Sequence, residues 1–559
     1  MNKIWDVRKN NVKLVESLAE ALKVSKIIAN LLVLRGIKTF NDAKLFFRPD
    51  ISKLHDPFLM KNMQKAVIRL DNAIKKNQKI LIYGDYDVDG TTSVAMVYSF
   101  LKRYNQNIEY YIPCRYNEGY GISFEGIDYA YTNNFSLVIA LDCGIRAIDQ
   151  IDYANRKSID VIICDHHNPS EIIPNAIAIL NPKQIDCPYP YKELSGCGVG
   201  FKLIHAYSIK NNISINQVTK YLDLVAVSIA ADIVPVNGEN RVLAYYGLKK
   251  INSNPCTGLK ALISEFQQSD LYTMSDLVFK ISPRINAAGR IAHAKKAVEI
   301  LVEEEYTNAK LFAAEIELNN NSRKDLDQKI TKEALKMIDE NKKSTVVFSK
   351  NWHKGVVGIV ASRLIEFSYK PTIVLAESDG LLTGSARSVH DFNLYEAISK
   401  CSHLCEKFGG HKYAAGLSIK KENLNKFIDA FEAEVQNTIK KEQLMPRIKV
   451  DMEIDVNDID EKLLRIIKQF APFGPLNMSP VFISRGVIDN GYGRQIGKDK
   501  SHLKVSLKTS KGLISGIGFG MGDFFQKINN SKPFDLCYSI KENEWNGRKS
   551  LQLMIVDIN

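Results

Sequence analysis

The sequence predicts an α/β protein that contains two α/β domains and ends in a β-barrel domain. Short apolar runs alternate with helical stretches over residues 79–232, and again over residues 345–375. A highly charged helical stretch over 302–341 separates these two regions. From residue 447 onward, apolar and polar residues alternate between turn signals, which is the pattern of strands with one buried face.

The first α/β region is predicted to be a doubly wound domain built on a parallel sheet. Its strands are expected at 79–83, 108–112, 137–141 and 161–164, and its helices at 92–101 and 218–231. The run Leu-Val-Ile-Ala-Leu at 137–141 is continuously apolar, as expected of a strand that is buried on both faces of a parallel sheet. In the second α/β region we expect strands at 345–348 and 372–375 around a helix at 356–365.

These patterns divide the chain into five parts. We assign an N-terminal helical segment (1–60), the first α/β domain (61–300), a long helical connector (301–342), a smaller α/β domain (343–446) and the β-barrel domain (447–559).

Composition permits a nucleic-acid partner without requiring one. The 559 residues are 45% hydrophobic and 25% charged, which is ordinary for domains with large cores. The net charge is +12 at pH 7 and the pI is about 9.0. This excess of positive charge fits a polyanionic partner, and it fits equally a lysine-rich proteome that spreads charge over solvated faces.

Targeting and redox signals point to a soluble, cytoplasmic protein with no membrane partner. The N-terminal residues lack the apolar core of a signal peptide. No apolar run approaches the roughly 18 residues that cross a bilayer. The nine cysteines form no C-x-x-C pair, so reduced thiols are a simpler interpretation than zinc binding.

Three carboxylates alternate in the segment Tyr-Gly-Asp-Tyr-Asp-Val-Asp-Gly at 83–90, between a predicted strand and a predicted helix. Asp85, Asp87 and Asp89 repel one another at this spacing unless a cation neutralises them. A calcium loop of the D-x-D-x-D-G type is the alternative. That loop needs a preceding helix and a glutamate at its twelfth position, where this chain has Met96.

Further acids and two histidines follow other apolar segments: Asp142, Asp165, His166, His167 and Asp232. A single aspartate after a strand is often only a helix cap or a turn residue. Several that converge on one sheet edge are better explained as ligands. We therefore predict that Asp85, Asp87, Asp89, Asp142, Asp165, His166, His167 and Asp232 bind Mn²⁺ or Mg²⁺, as two ions roughly 4 Å apart that hydrolyse phosphodiester bonds.

These residues resemble the motifs of the DHH phosphoesterase family, which is named for the triplet found here at 165–167. The segment Gly-Gly-His-Lys-Tyr-Ala-Ala-Gly at 409–416 resembles the signature of the DHH-associated domain. Segments 283–290, 352–358 and 384–388 resemble motifs of the family's single-strand-specific exonucleases, and 543–553 resembles their C-terminal OB-type barrel. Small relatives such as family II pyrophosphatases carry a histidine ligand where this chain has Tyr83, so Asp85 is the candidate for that position.

The resemblance implies 5′→3′ degradation of single-stranded DNA to 5′-mononucleotides, in DNA repair and recombination. It further implies a monomer that is supplied with strands by a helicase and a single-strand-binding protein. Two rival functions remain open. One is a DHH phosphodiesterase that acts on cyclic dinucleotides or short RNA, and the other is a non-catalytic single-strand-binding relative.

Substrate-binding residues are predicted from cationic and aromatic side chains near small residues. Most loop arginines are merely solvated, but the resemblance favours Arg387 and Arg115 as contacts to the 5′ end. It also favours His411 as a catalytic contact to the phosphate. The alternative is a purely structural histidine that caps a turn. Arg387 is expected in a Gly/Ser-rich turn. Tyr120 and Trp545 are expected to stack on bases, although Trp545 could instead pack within a β-hairpin. The full predicted set is Arg115, Tyr120, Arg284, Asn286, Arg290, Ser385, Arg387, Ser388, Gly410, His411 and Trp545.

Overall fold

A computed structural model describes residues 3–266, 271–291, 293–378, 380–528, 532–545 and 547–559, with the side chain of Trp545 excepted. The chain forms two compact units. One unit comprises residues 44–322 and 470–478, and we call it the catalytic unit. The other comprises 1–43, 323–469 and 479–559, and we call it the accessory unit. No helix of the described residues is both long and apolar enough to cross a membrane.

The strands are β1 Ile4–Val7, β2 Ile80–Gly84, β3 Ile108–Tyr111, β4 Leu137–Leu141, β5 Asp160–Cys164, β6 Ala178–Leu180, β7 Thr345–Ser349, β8 Thr372–Ser378, β9 Leu381–Arg387, β10 Cys405–His411, β11 Ala414–Ile419, β12 Arg447–Val450, β13 Met452–Glu453, β14 Phe482–Val487, β15 Arg494–Ile496, β16 His502–Thr509, β17 Gly512–Gly518, β18 Phe534–Trp545 and β19 Arg548–Ile558.

The helices are α1 Val12–Leu22, α2 Lys26–Val33, α3 Phe40–Phe47, α4 Met63–Lys75, α5 Val88–Leu101, α6 Phe124–Thr132, α7 Ile148–Arg156, α8 Gly196–Lys210, α9 Asn216–Thr219, α10 Leu222–Ala231, α11 Gly238–Ser253, α12 Thr257–Ser264, α13 Met274–Asp276, α14 Ser282–Ile291, α15 Lys295–Val302, α16 Tyr306–Leu335, α17 Val357–Ser368, α18 Leu394–Lys400, α19 Leu424–Thr438, α20 Glu461–Lys468 and α21 Phe525–Ile528, with a π-helical segment at Leu277–Ile281.

The catalytic unit is built on a parallel sheet with the strand order β3-β2-β4-β5-β6. Both faces of the sheet are covered, because Ile80 and Ile82 pack into one apolar core while Leu81 and Tyr83 pack into another. This explains why strands such as β4 are continuously apolar rather than alternating. The predicted parallel α/β domain is confirmed.

Two predicted helices of the catalytic unit have different bounds in the structure. Helix α5 begins at Val88 rather than at residue 92, because the side chain of Asp87 accepts a hydrogen bond from the N–H of Gly90 and caps the helix. The helix predicted at 218–231 is divided into α9 and α10. Apolar spacing did not reveal this break, since Val218 and Leu222 are both buried and lie four residues apart.

The accessory unit contains the second α/β domain. Its sheet has the order β10-β11-β9-β8-β7, in which only β7 and β8 run parallel. The charged connector is the long helix α16, whose thirty residues cross from one unit into the other along the chain.

The C-terminal part is a seven-stranded sheet with the order β13-β14-β18-β19-β17-β16-β15. A bridge between Asp489, just after β14, and Leu507 of β16 links the two sides of this sheet, so that it closes into the predicted barrel. The N-terminal segment is mostly helical, as predicted, but Ile4–Val7 is a strand that pairs in parallel with β12. The indole N–H of Trp5 donates to Asp557 of the barrel at 2.8 Å.

Candidate metal centre and substrate sites

Three neighbouring strands of the parallel sheet each end one residue before an aspartate. The last residues of β2, β4 and β5 are paired with one another across the sheet. Asp85, Asp142 and Asp165 therefore leave the sheet side by side at its carboxyl edge. This is the edge where α/β sheets bind ligands, and the strand order reverses direction there between β2 and β4.

His166 lies at the centre of the acidic cluster. Its Nε2 atom lies 3.2 Å from Oδ1 of Asp142. The same atom lies 3.5 Å from Oδ2 of Asp232 and 3.8 Å from Oδ2 of Asp89. Two sets of ligand atoms, each set within 4.8 Å, share this histidine: one adds Asp142 and His167, and the other adds Asp89 and Asp232.

Several buried atoms of the cluster have no hydrogen-bond partner among the described residues. They are Oδ2 of Asp85, Oδ1 of Asp142 and both ring nitrogens of His166. A buried polar atom that stays unpaired costs about 1–3 kcal/mol, so these positions favour a bound cation. Carboxylate oxygens combined with imidazole nitrogens suit Mn²⁺ or Mg²⁺, and the donor set therefore fits the predicted ions.

Burial and mutual repulsion raise the pKa values of the carboxyl groups in the cluster. Burial raises the pKa of Asp232 to about 8, and the charges of Asp89 and Asp87 add to this effect. The pKa of Asp142 rises well above its usual range through burial and the neighbouring carboxylates. The pKa of Asp85 rises through burial and the charge of Asp87. The fully ionised cluster is therefore unfavourable until a cation neutralises it.

Three donors hold the carboxylate of Asp89. Oδ2 accepts a hydrogen bond from the N–H of Gly196 at 2.7 Å. Oδ1 accepts from the N–H of Cys197 at 2.8 Å and from the hydroxyl of Ser228 at 2.6 Å. Because Oδ1 already accepts two hydrogen bonds, Oδ2, which faces His166, is the oxygen with capacity left for an ion.

The turn at the start of α8 also fixes Asp142. A Cβ on Gly196 would lie 2.6 Å from Cβ and Oδ1 of Asp142, so only glycine allows this approach. Asp142 itself has a φ of +60°, a left-handed conformation that aspartate tolerates better than most residues. Ser195 caps α8 through the N–H of Gly198, and its hydroxyl lies 2.6 Å from that of Ser228.

Asp165 holds the histidines in place. Its Oδ1 accepts hydrogen bonds from the N–H groups of His166 at 2.7 Å and His167 at 3.1 Å, and lies 2.8 Å from Nδ1 of His167. Its Oδ2 accepts from the N–H of Ile145 at 2.9 Å. Although burial opposes it, the hydrogen bonds and charge of His167 lower the pKa of Asp165 to about 2. These contacts favour a positioning role over the direct coordination expected from the sequence.

Asp85 and Tyr83 face the loop between β3 and α6. The Tyr83 hydroxyl donates to the carbonyl of Gly121 at 2.9 Å, and Oδ1 of Asp85 accepts from the N–H of the same glycine at 3.3 Å. Oδ2 of Asp85 is one of the unpaired atoms, so Asp85 is the residue of the two that offers an atom to an ion.

The same loop brings Arg115 and Tyr120 close to the cluster. The guanidinium carbon of Arg115 lies 4.8 Å from the ring centre of Tyr86. The hydroxyl of Tyr120 lies 3.1 Å from Nε2 of His167, while 56% of the Tyr120 side chain and backbone surface stays exposed. Tyr120 therefore contacts the cluster through His167, and the charge of Arg115 lowers the pKa of Asp85 against the larger effect of burial.

Glu118 anchors this loop. Its Oε1 accepts a hydrogen bond from the N–H of Cys114 at 2.7 Å. Its Oε2 accepts from the hydroxyls of Ser123 at 2.6 Å and Tyr111 at 2.9 Å. One carboxylate thus ties the start of the loop to its end, on either side of Arg115. No motif in the sequence signalled this residue.

The arginines of α14 differ in their surroundings. Nε of Arg284 lies 2.6 Å from Glu317, and the guanidinium stacks 4.3 Å from the ring centre of Phe266. Only 7% of Arg284 is exposed and its guanidinium is already paired, so the proposed substrate contacts do not include it. Asn286 and Arg290 are half-buried, and the carbonyl of Arg290 accepts a hydrogen bond from the hydroxyl of Tyr116.

The remaining predicted substrate residues lie on antiparallel strands of the accessory unit or, for Ser388, directly after one. Ala414 of β11 pairs with Arg387 of β9 on one side and with His411 of β10 on the other. The Cα atoms of Arg387 and His411 are thus about 10 Å apart, with one strand between them. Arg387 donates to the hydroxyl of Ser385 at 2.9 Å. Arg387 was predicted in a turn, and the structure corrects this: it ends a strand that is paired on both sides.

Small residues make room around this group. A Cβ on Gly358 would lie 3.2 Å from Nη2 of Arg387 and 3.1 Å from the Ser385 hydroxyl. Gly410, with a φ of +146°, approaches the carbonyl of Ala414 so closely that a Cβ would lie 2.4 Å away. Ser388 follows β9, and its hydroxyl donates to the carbonyl of Phe392 at 2.9 Å. The side chain of Trp545 lies outside the described residues.

The chain is similar over most of its length to several bacterial proteins. It is 37% identical to the single-stranded-DNA-specific exonuclease RecJ of Bacillus subtilis, over 99% of this chain and 70% of the relative. It is 32% identical to the Escherichia coli protein of the same name, over 89% of this chain and 90% of that protein. The chain belongs to the RecJ family.

Three domain models match the chain in the order of the two α/β domains and the barrel. The DHH family N-terminal domain matches residues 79–229, the DHHA1 domain matches 341–437, and the RecJ OB domain matches 450–557. The predicted resemblance to DHH phosphoesterases, and the fold class that it implied, are thereby confirmed.

Solved structures support the fold. RecJ of Thermus thermophilus in complex with Mn²⁺ matches with a TM-score of 0.86 at 24% identity, over 100% of this chain and 79% of that one. An exonuclease RecJ bound to manganese matches with a TM-score of 0.61 at 29% identity, over 68% of this chain and 96% of that one.

Proposed function

We propose that this chain is a metal-dependent exonuclease that degrades single-stranded DNA from its 5′ end and releases 5′-mononucleotides. The observation that carries the proposal is the cluster of buried, unpaired carboxylate and imidazole atoms around His166 at the carboxyl edge of the sheet. The printed names of its RecJ relatives supply the substrate class.

The cofactor in this proposal is Mn²⁺ or Mg²⁺, held by Asp85, Asp87, Asp89, Asp142, His166 and Asp232, while His167, predicted as a further ligand, contacts the phosphate instead. A relative of the same family carries manganese in its structure. Divalent ions at this position supply Lewis-acid polarisation of the phosphodiester and activation of water. Asp165, whose oxygens accept four hydrogen bonds or close contacts, is proposed to orient His166 and His167.

His167 is the proposed donor to the phosphate oxygens. Asp165 holds its Nδ1, which fixes the ring, and the Tyr120 hydroxyl lies 3.1 Å from Nε2 and 3.3 Å from Nδ1. The contact with Asp165 raises the pKa of His167 against the opposing effect of burial. With 41% of its side chain exposed, His167 remains accessible to a substrate.

Contacts to single-stranded DNA are proposed for each unit separately. Arg115, Tyr120 and Arg290 lie in the catalytic unit, with Asn286 on the same helix as Arg290. The accessory unit contributes Ser385, Arg387, Ser388, Gly410 and His411. Its guanidinium and hydroxyl groups, next to small residues at the ends of β9 and β10, suit a phosphate. His411 is exposed, as a contact to an incoming strand requires.

The barrel is proposed to hold the strand that trails behind the site. Phe519, 62% exposed, follows β17 and packs its ring 5.2 Å from that of His502 at the same end of the sheet. The adjoining turn carries exposed Lys498 and Lys500. Exposed rings beside lysines bind bases by stacking and the backbone by charge, without sequence preference.

The helicase and single-strand-binding partners, the monomeric state and the cytoplasmic location stay predictions.

A time course on strands labelled at the 5′ or the 3′ end tests the proposal. With Mn²⁺ or Mg²⁺, the 5′ label should appear at once as mononucleotide, while 3′-labelled strands shorten progressively. EDTA should stop both reactions. Early release of the 3′ label would refute the polarity, and hydrolysis of cyclic di-AMP without strand cleavage would favour the rival phosphodiesterase.

A further inference from the structure

Ile233 follows the candidate ligand Asp232 and has an unusual backbone conformation. Its φ is +58°, in the left-handed region. A side chain disfavours this region because its Cβ crowds the following carbonyl, and a β-branched side chain does so most strongly. Among the described residues with positive φ, Ile233 is the one that is β-branched. Glycine or asparagine would form the same turn with less strain.

The backbone on both sides of Ile233 is held in place. The N–H of Asp232 donates to the carbonyl of Ser228 at 3.0 Å, at the end of α10. Val234 and Val236 are buried, and the N–H of Val236 donates to the carbonyl of Pro475 at 2.8 Å. The surrounding structure therefore imposes the strained conformation, as is common at functional sites.

Burial does not compensate for this strain, because Ile233 is 63% exposed. The residue also lies next to the reactive cluster, since Oδ2 of the adjacent Asp232 is 3.5 Å from Nε2 of His166. The turn thus keeps a large apolar side chain in solvent beside the candidate metal ligands. Its packing inside the protein does not account for an isoleucine at this position.

We propose that Ile233 is a substrate-contact residue that packs against the apolar surface of the nucleotide at the reacting phosphate. The inference rests on the proposed function. An isoleucine offers no polar atom to a phosphate, whereas the sugar and the face of the base both gain from apolar contact. Ile233 therefore contributes to strand binding, and the strained turn presents it.

Three variants test this role. Ile233→Asn relieves the left-handed strain and removes the apolar contact, whereas Ile233→Leu keeps an apolar side chain without the β-branch. Ser158→Asn is the matched control: Ser158 is exposed, has a φ of +57°, and lies before β5, at the opposite edge of the sheet from the cluster.

For Ile233→Asn we expect a rise of about tenfold in the KM for a single strand, together with a higher Tm than the unchanged protein. Ile233→Leu should keep a KM close to the original value. Ser158→Asn should raise Tm and leave KM unchanged. The affinity for Mn²⁺, measured by titration, should be the same in all four proteins.

Strands with an abasic 5′ nucleotide distinguish the two apolar surfaces. If Ile233 contacts the base, the KM difference between Ile233→Asn and the unchanged protein disappears on the abasic strand. If it contacts the sugar, the difference persists.

A KM for Ile233→Asn within twofold of the original would overturn the inference. So would an equal rise in KM for Ile233→Leu combined with lower Tm values, because that result indicates a purely structural role. If Ile233→Asn folds poorly, Ile233→Gly replaces it under the same criteria. An unchanged protein that cleaves no strand refutes the proposed function itself, whereas normal cleavage with an unaffected variant refutes only the role of Ile233.

Discussion

At the scale of single residues, the ligand candidates could be predicted because each follows an apolar segment. Asp85, Asp142 and Asp165 extend from paired strand ends, so a linear pattern translated directly into proximity. Their separate roles could not be predicted. Asp165 differs from Asp142 in the N–H groups that surround its oxygens, and those contacts appear only in the folded chain.

Ser228 illustrates what the sequence could not reveal. It lies in the apolar helix α10, where a serine resembles any other core residue, yet it donates to Asp89, 139 residues earlier. Gly196 is similar. It must be glycine because Asp142, which lies in a loop distant in sequence, occupies the space that a Cβ would need. Contacts of this range leave no local pattern.

Ser228→Ala should weaken the binding of Mn²⁺ by about 10–100-fold, the usual effect of removing a residue that orients a ligand. The reason is that Oδ1 of Asp89 loses its shortest hydrogen bond inside a buried site. Calorimetric titration measures the change. Ser208→Ala is the control, since Ser208 is equally buried but donates only within its own helix. Equal Mn²⁺ affinities in both variants would contradict the account.

At the scale of elements, periodicity predicted the buried strands well and the ends of elements less well. Strand β4 has the bounds that were expected, because both of its faces are buried and the apolar run is unbroken. Strand β1 was missed, since four residues form no recognisable pattern and their partner strand begins at Arg447. The Gly/Ser-rich segment before Arg387 suggested a turn, but pairing on both sides makes it the strand β9.

The loop between β3 and α6 is the element whose behaviour the structure predicts most directly. Glu118→Gln should place an amide opposite groups that donate to the carboxylate, so at least one hydrogen bond is lost, at a cost of about 1–3 kcal/mol. We expect a higher KM for single strands, because Arg115 and Tyr120 are less well positioned, with unchanged Mn²⁺ affinity. Steady-state kinetics measures the first value and titration the second.

Glu109→Gln is the control for that experiment. Glu109 lies on β3 and accepts one hydrogen bond from Tyr129 at 3.1 Å, outside the loop. Its KM should stay at the original value. A normal KM for Glu118→Gln, or a loss of Mn²⁺ affinity as large as the change in KM, would show that the loop does not act in this way.

At the scale of the whole molecule, the order of the domains was predictable, whereas the composition of the units was not. Alternating patterns along the chain indicated an α/β domain, a helix, a second α/β domain and a barrel. The DHH, DHHA1 and RecJ OB models match the two α/β domains and the barrel in that order. The bounds of the five predicted parts stay a proposal. The compact units are assembled from segments far apart in sequence, since residues 1–43 belong with the barrel and 470–478 with the catalytic unit.

The central claim is that the cluster around His166 binds the ions on which strand cleavage depends. Asp142→Asn tests it with little disturbance, because asparagine has the same shape and tolerates the φ of +60° at this position. Asp149→Asn, an exposed position on α7, is the control.

The decisive measurement is a Mn²⁺ titration of both variants, paired with cleavage of a 3′-labelled single strand. Asp142→Asn should lose at least about 100-fold in Mn²⁺ affinity and in cleavage, more than is usual for a residue outside the ligand set, while Asp149→Asn behaves like the unchanged protein. If Asp142→Asn binds Mn²⁺ normally and degrades the strand at the original rate, the ions bind elsewhere and the account is wrong.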